Sequence, residues 1–259
     1  MNDTVINRLD TLDLEARVKS MYELVALEPD QQFHFETGRN LAEHLGYPSA
    51  DLDAIPADAI ASFAGVGYFL DLADLRPGET VLDLGSGSGT DSFLAALTVG
   101  AGGRVIGVDM TPAQLAKATR LAELAGLAHV SFVDGYIERS SVPAGSIDCV
   151  ISNGVINLSP DKATVFQSAA EALHPGGRLA IADIVTASQL PEGVTCDASL
   201  WAACIGGAAQ RDDYLQMLED AGFTVDTVRD NDYRFVSDRA LGATTTYGVS
   251  SVSILARRN

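Results

Sequence analysis

Three observations predict an α/β fold built on a mostly parallel sheet. From Thr80 onward, short apolar runs alternate with segments long enough to be crossover helices. The first run, Val81-Leu-Asp-Leu84, leads into Gly85-Ser-Gly-Ser-Gly89, whose glycines permit a sharp strand-to-helix turn and let a ligand lie on bare backbone. The second, Val105-Ile-Gly-Val108, ends in the carboxylate Asp109, which can accept hydrogen bonds from both hydroxyls of a ribose.

The elements follow in order. Residues 1 to about 75 read as helices: Leu14 to Leu27 has apolar residues near helical spacing, and Phe33 to Leu45 is a second such segment stopped by Gly46. Residues 56–75 continue the pattern, interrupted by Ala64-Gly-Val-Gly-Tyr68, before Pro77-Gly78 turns the chain into a strand. Strand Thr80–Leu84 precedes a helix from Asp91 to Val99. Strand Arg104–Val108 precedes Thr111-Pro-Ala-Gln114, a capping box with proline at the first helical position, and a helix running to Gly126. Strands Val130–Asp134 and Ile147–Ser152, a helix opened by Ser159-Pro160 and stopped at Pro175-Gly-Gly177, and strand Arg178–Asp183 continue the alternation. Residues 184–212 break the rhythm and read as an insert or lid. A helix Arg211–Ala221 stops at Gly222, and strands Phe223–Val228 and Val249–Ala256 flank a long connection, 229–248, able to fold over a site. The organisation expected is a helical cap, 1–75, on a ligand-binding domain, 76–259.

A chain of 259 residues, 47% hydrophobic, can bury a sizeable core. Its 17 Lys plus Arg stand against 35 Asp plus Glu, a formal charge of −18 that disfavours nucleic acid and anionic membranes as partners. Residues 1–8 lack a secretory pattern, and the apolar run near Phe93 to Ala101 is too short for a membrane span. Cys149, Cys196 and Cys204 form no metal-binding spacing and no even disulfide framework. The expectation is a cytoplasmic protein with a small-molecule substrate and no metal; monomer and homodimer are both open.

The glycine run is G-x-G-x-G and lacks the spacing of the dinucleotide fingerprint. Asp83, just before it, would sit poorly beside a pyrophosphate but well beside a cationic amino-acid tail. This favours S-adenosylmethionine, which carries a sulfonium and an ammonium. Ser86 belongs to the same cradle, and Asp91 either contacts the ligand or stabilises a helix N-terminus.

With these motifs the sequence resembles class I S-adenosylmethionine-dependent methyltransferases, of Rossmann-like fold with a seven-stranded sheet, and within them the arsenite methyltransferase family. The resemblance spans roughly residues 60 to 225 and includes Val108-Asp-Met-Thr111, Ile151-Ser-Asn-Gly-Val-Ile-Asn-Leu-Ser-Pro-Asp-Lys162 and Cys204-Ile-Gly-Gly-Ala208. It implies that Gly85, Gly87 and Gly89 line the methionine portion, that Asp109 binds the ribose and Met110 flanks the adenine. Gly135, Tyr136 and Ile137, with Glu138, would cover the other adenine face, and Asn153 would close the site with its backbone carbonyl. S-adenosylhomocysteine would be the product.

Departures from the family matter equally. Its members hold trivalent arsenic through thiolates, because a soft centre prefers sulfur. Two of those cysteine positions are Val66 and Gly154 here, and only Cys204 matches, with Cys196 nearby. A roomier, more apolar acceptor pocket follows, with Phe35, Tyr68, Gly154 and Trp201 as candidate lining. Tyr22 matches a family tyrosine near the reactive methyl, where its ring favours a sulfonium. His34 is a candidate catalytic base, as is Glu138, should the acceptor need one. The leading expectation is methyl transfer to a small apolar molecule; the alternatives are a metalloid or thiol methyltransferase using Cys204, and a non-catalytic cofactor-binding protein.

Overall fold

A computed structural model describes residues 9–139, 142–195, 201, 205–236 and 238–259 of the chain, with side chains 238–240 also outside the description. Its centre is a sheet of eight strands: β1 Thr80–Leu84, β2 Arg104–Asp109, β3 Val130–Asp134, β4 Ile147–Asn153, β5 Leu173–Thr186, β6 Ala209–Gln210, β7 Phe223–Asn231 and β8 Ser250–Arg258. The order is β3-β2-β1-β4-β5-β8-β7, and the two-residue β6 adds to β5 off this path. All pairings are parallel except those of β8 with β5 and β7. The seven expected strands are thus present, with one short addition.

Strand order reverses at β1, which has β2 on one side and β4 on the other. At such a switch point the loops leaving two neighbouring strands part in opposite directions and open a crevice at their carboxyl ends. The glycine run leaves β1 there, and Asn153 ends β4 beside it.

Both sheet faces are covered, so the central strands carry apolar residues on both sides. Val81, Cys149, Ala180 and Ala182 face one core, joined by Phe93 and Leu94 of α6 (Thr90–Val99), Leu121 of α7 (Pro112–Leu124) and the N-terminal helices. Leu82, Val150, Leu179 and Ile181 face the other, against Val165 and Phe166 of α8 (Lys162–Ala172) and Tyr214 and Leu218 of the helix Arg211–Asp220.

The N-terminal region is α1 (Thr11–Leu27), α2 (Arg39–His44), α3 (Ser49–Asp53), α4 (Ala57–Ala61) and α5 (Leu70–Ala73). The expected helix Phe33–Leu45 shrinks to α2 because Gly38, with φ of 86°, opens it in a conformation no preceding helical turn allows. The amide of Gly38 instead donates to the Phe63 carbonyl at 2.8 Å, pinning this segment to α4's exit.

Other boundaries moved for identifiable reasons. Thr111 does not cap α7 with its side chain, and Gln114 makes no reciprocal bond, because its amide is used elsewhere in the fold. The helix expected from Ser159 begins at Lys162, with Asp161 as N-cap accepting from the Thr164 amide at 3.1 Å. α8 already ends at Ala172. Pro175-Gly-Gly177 lies within β5, where the register against β4 shifts between Ile147 and Cys149. The connection 229–248 is shorter than expected, since β7 continues to Asn231 and a helix occupies Asp238–Tyr247. Within 184–212, β5 runs to Thr186, a helix spans Glu192–Thr195 and β6 follows.

Candidate cofactor and acceptor site

The crevice is a cavity of about 490 Å³, a size suited to a cofactor-sized ligand. Its floor is the glycine turn. Gly85, Gly87 and Gly89 all have positive φ, between 52° and 94°, a region that costs other residues on the order of 1–3 kcal/mol. Their roles differ. Space over Gly87 is open, with Gln114 Oε1 at 3.8 Å the nearest atom to an added Cβ, whereas one on Gly89 would lie 2.8 Å from Phe132. Gly85 and Gly87 line the cavity. Gly89 does not: it turns the chain into α6 against two phenylalanines.

Three carboxylates stand on this floor. Asp83, 3% exposed, accepts from Ser92 Oγ at 2.5 Å; burial, with Asp91 and Asp109 close by, pushes its carboxyl up to about 8. Asp91, in the first turn of α6, accepts from Tyr47 Oη at 2.6 Å and Asn153 Nδ2 at 3.0 Å. Burial still raises it to about 6 against those bonds. Asp109 accepts from the amides of Gly87 at 2.9 Å and Thr111 at 2.8 Å, and burial raises it too. No ion pair among the described residues involves any of the three. Buried negative charge lacking a cation is costly, and a cationic ligand would relieve it.

The remaining wall comes from distant elements. Ser86, Met110, Gly135, Tyr136, Ile137 and Asn153 line the cavity. Tyr136 Oη donates to Glu15 at 2.8 Å, and Lys19 sits 5.2 Å from the Tyr136 ring centre while pairing with Glu15. This trio ties α1 to the rim. Tyr22, Leu14 and Val18 of α1 also face the cavity. Ser159 Oγ donates to Glu138 Oε1 at 2.5 Å, joining the loops after β3 and β4.

Several expected residues lie elsewhere. His34 is not on the cavity wall; it packs edge-on against Phe35, ring centres 4.6 Å apart, and Phe35 in turn stacks behind Tyr22 at 6.1 Å. Tyr68 packs against Tyr47. Trp201 lies against Gly206 and Gly207, under the Lys162 ammonium at 4.9 Å, with Nε1 donating to the Thr195 carbonyl at 2.7 Å. Gly154 sits just behind the wall, against Val66. Cys196 and Cys204 lie outside the described residues. Cys149 is fully buried and its thiol is pushed up to about 12 by burial, so it is inert core.

Two residues were missed by sequence reasoning. Gln114, 1% exposed, accepts from Ser88 Oγ at 2.5 Å and donates to the Tyr22 carbonyl at 2.9 Å, joining the glycine turn to α1. Its signal in the sequence pointed to helix capping instead. Tyr47 carries no local signal at all.

A crevice at a sheet's switch point, with a glycine floor and a carboxylate at the second strand's end, is the architecture of a class I methyltransferase fold. The methyltransferase domain family matches residues 75–222, and the chain belongs to the S-adenosylmethionine-dependent methyltransferases. Among these it is similar to arsenite methyltransferases. That of Halobacterium salinarum is 42% identical over 205 residues, 78% of this chain and 52% of the relative. CrArsM, an arsenic(III) S-adenosylmethionine methyltransferase from Chlamydomonas reinhardtii, superposes with a TM-score of 0.67 at 32% identity, over 81% of this chain and 72% of that one. Geranyl diphosphate C-methyltransferase from Streptomyces coelicolor A3(2) shares the fold, with a TM-score of 0.68 at 18% identity over 97% of this chain and 100% of the other. The chain spans about half the length of the curated relatives it matches.

Proposed function

We propose that this chain binds S-adenosylmethionine in the crevice and transfers its methyl group to a small, largely apolar organic acceptor. The observation that carries the reading is a set of carboxylates, Asp83 and Asp91 buried and Asp109 partly so, that have no cationic partner among the described residues and stand around a bare glycine floor. The residues fit this cofactor. Asp83 and Asp91 would hold its cationic amino-acid end, Asp109 the ribose, Met110 and Tyr136 the adenine. When bound, the cofactor supplies an electrophilic methyl on a positively charged sulfur.

The chain's own contribution is alignment and exclusion of water, which can supply effective molarities of about 10⁵ M or more. α1 closes the cavity from above with Leu14, Val18 and Tyr22, and Phe63 and Leu158 add apolar wall. Of the two candidate bases, Glu138 lines this wall, whereas His34 lies off it against Phe35. The negative wall disfavours anionic acceptors.

Valine and glycine at positions 66 and 154, where the arsenite family has cysteines, favour this acceptor class over a metalloid. The similarity to arsenite methyltransferases supports the second reading, with Cys204 as a thiolate. Calorimetry with S-adenosylmethionine, followed by turnover assays with trivalent arsenic and with small apolar metabolites, tests both. No binding would overturn the cofactor assignment. Turnover of arsenic that Cys204→Ser abolishes would replace the apolar acceptor with the metalloid.

A further inference from the structure

Tyr47 follows α2, between Gly46 and Pro48, and belongs to no cofactor motif. It is 2% exposed, packed edge-on against Phe63 at 5.0 Å and Tyr68 at 4.8 Å. Its hydroxyl lies 2.6 Å from Asp91 Oδ1 and 3.4 Å from the Gly67 carbonyl. One proton serves one strong bond, and the shorter, charge-assisted contact takes it. The same oxygen accepts from Asn153 Nδ2 at 2.9 Å. Asn153 Nδ2 also reaches Asp91 Oδ2 and the Gly67 carbonyl, each at 3.0 Å, while its Oδ1 accepts from the Val66 amide at 2.8 Å.

Each oxygen of Asp91 therefore has its own fixed donor, one on the loop after α2 and one on β4. The carboxylate cannot rotate without breaking one of them. Asn153 Oδ1 in turn accepts from the Val66 amide, so the cavity's cation-binding end and the adjoining Gly65-Val-Gly67 segment share one network.

We propose that Tyr47 is a positioning residue of the cofactor site: its hydroxyl, acting with Asn153, holds the Asp91 carboxylate in place at the cavity wall for the cationic end of S-adenosylmethionine. This rests on the reading of the cavity as the cofactor site. The groups facing Asp91 are Tyr47 and Asn153 as donors, Asp83 from β1 as a like charge, and Tyr68 from the segment before α5. Removing a donor to a buried carboxylate makes it harder to ionise, and a cation binds the ionised form. The defect in a variant without the hydroxyl is therefore pH-dependent, whereas a packing defect is not.

The test is calorimetric titration of wild type and Tyr47→Phe with S-adenosylmethionine between about pH 5.5 and about pH 9. Phenylalanine keeps the ring contacts with Phe63 and Tyr68. The expected result is an affinity loss of about tenfold near pH 6 that narrows as pH rises and Asp91 ionises in both proteins. In an Asp91→Asn background, adding Tyr47→Phe should change affinity by no more than about twofold, since the hydroxyl acts through the charge. Unchanged affinity in Tyr47→Phe, a loss independent of pH, or a further large loss in the double variant would each overturn the proposal. If Tyr47→Phe does not fold, fluorotyrosine placed at position 47, which keeps the ring and strengthens the hydroxyl donor, should raise affinity near pH 6 relative to high pH; an unchanged pH profile overturns the role. Absence of binding by wild type would instead sink the cofactor reading itself.

Discussion

Val66 and Gly154 face one another behind the cavity wall: a Cβ placed on Gly154 would lie 3.1 Å from Val66 Cγ1. These are the two positions where the resemblance to the arsenite family implies thiols, and they are neighbours in space. A side chain at 154 would compete for space with the branched Val66.

That relationship predicts how thiols could be introduced at the site. Val66→Cys alone should cost about 1 kcal/mol or less, as a small volume loss in a packed core. Gly154→Cys alone should cost about 1–3 kcal/mol, because Gly154 has φ of 70° and its new Cβ would press on Val66. The double variant should gain an arsenic(III) site that wild type lacks at these positions. Thermal unfolding and arsenic titration of the two single variants and the double variant measure each part.

Cofactor affinity should rise with pH. Asp91 and Asp83, at about 6 and about 8, are largely protonated at low pH, and a cation binds them only when ionised. Binding near neutrality should therefore release protons, seen as a dependence of the calorimetric heat on buffer ionisation enthalpy. A flat affinity across about pH 5.5 to about pH 9 would contradict the roles given to both carboxylates.

The ligand-free protein should show the opposite trend. A carboxyl raised in the fold binds its proton more tightly there than in the unfolded chain, so stability falls as pH climbs from the unfolded value toward about 8. Asp83→Asn should flatten the decline in melting temperature over that range. A wild-type melting temperature that increases throughout the range would refute the buried, cation-free state of Asp83.

Asp109→Ala removes the acceptor of two backbone amides, those of Gly87 and Thr111, together with the partner proposed for the ribose. Affinity for S-adenosylmethionine should drop by about a hundredfold with the fold retained, since charge-assisted hydrogen bonds are the stronger kind. Calorimetry and circular dichroism on the same preparation separate the two effects.

Gln114→Ala should weaken both the fold and the site. It leaves Ser88 Oγ without its acceptor and the Tyr22 carbonyl without its donor, at about 1–3 kcal/mol for a buried unsatisfied group. Because the bond to Tyr22 holds α1 over the cavity, amide exchange in α1 should quicken more than in α6. Equal protection in both helices would deny Gln114 that anchoring role.

Much of this protein could be read along the chain. Strand β3 falls at the expected residues, and β1, β2 and β4 at or within one residue of them, because buried parallel strands need apolar runs and the turns between them need glycine or proline. The N-terminal region was harder. Phe33 and Phe35 lie at plausible helical positions, yet their rings stack at 5.6 Å in a non-helical segment because Gly38 and the Phe63 carbonyl set the path there. Thr111 and Gln114 spell a helix cap, but Gln114 gains more from Ser88 and Tyr22 than from the helix end.

The sequence by itself determined the floor of the site: a glycine turn after one strand and a carboxylate after the next are local features, set by backbone conformation and chain direction. Only the tertiary structure decided what closes over that floor. Tyr47 against Asp91, Gln114 against Tyr22, and Val66 against Gly154 are contacts between segments far apart in the chain. Their energies come from burial and hydrogen bonding in the assembled core, which no periodicity or turn signal encodes.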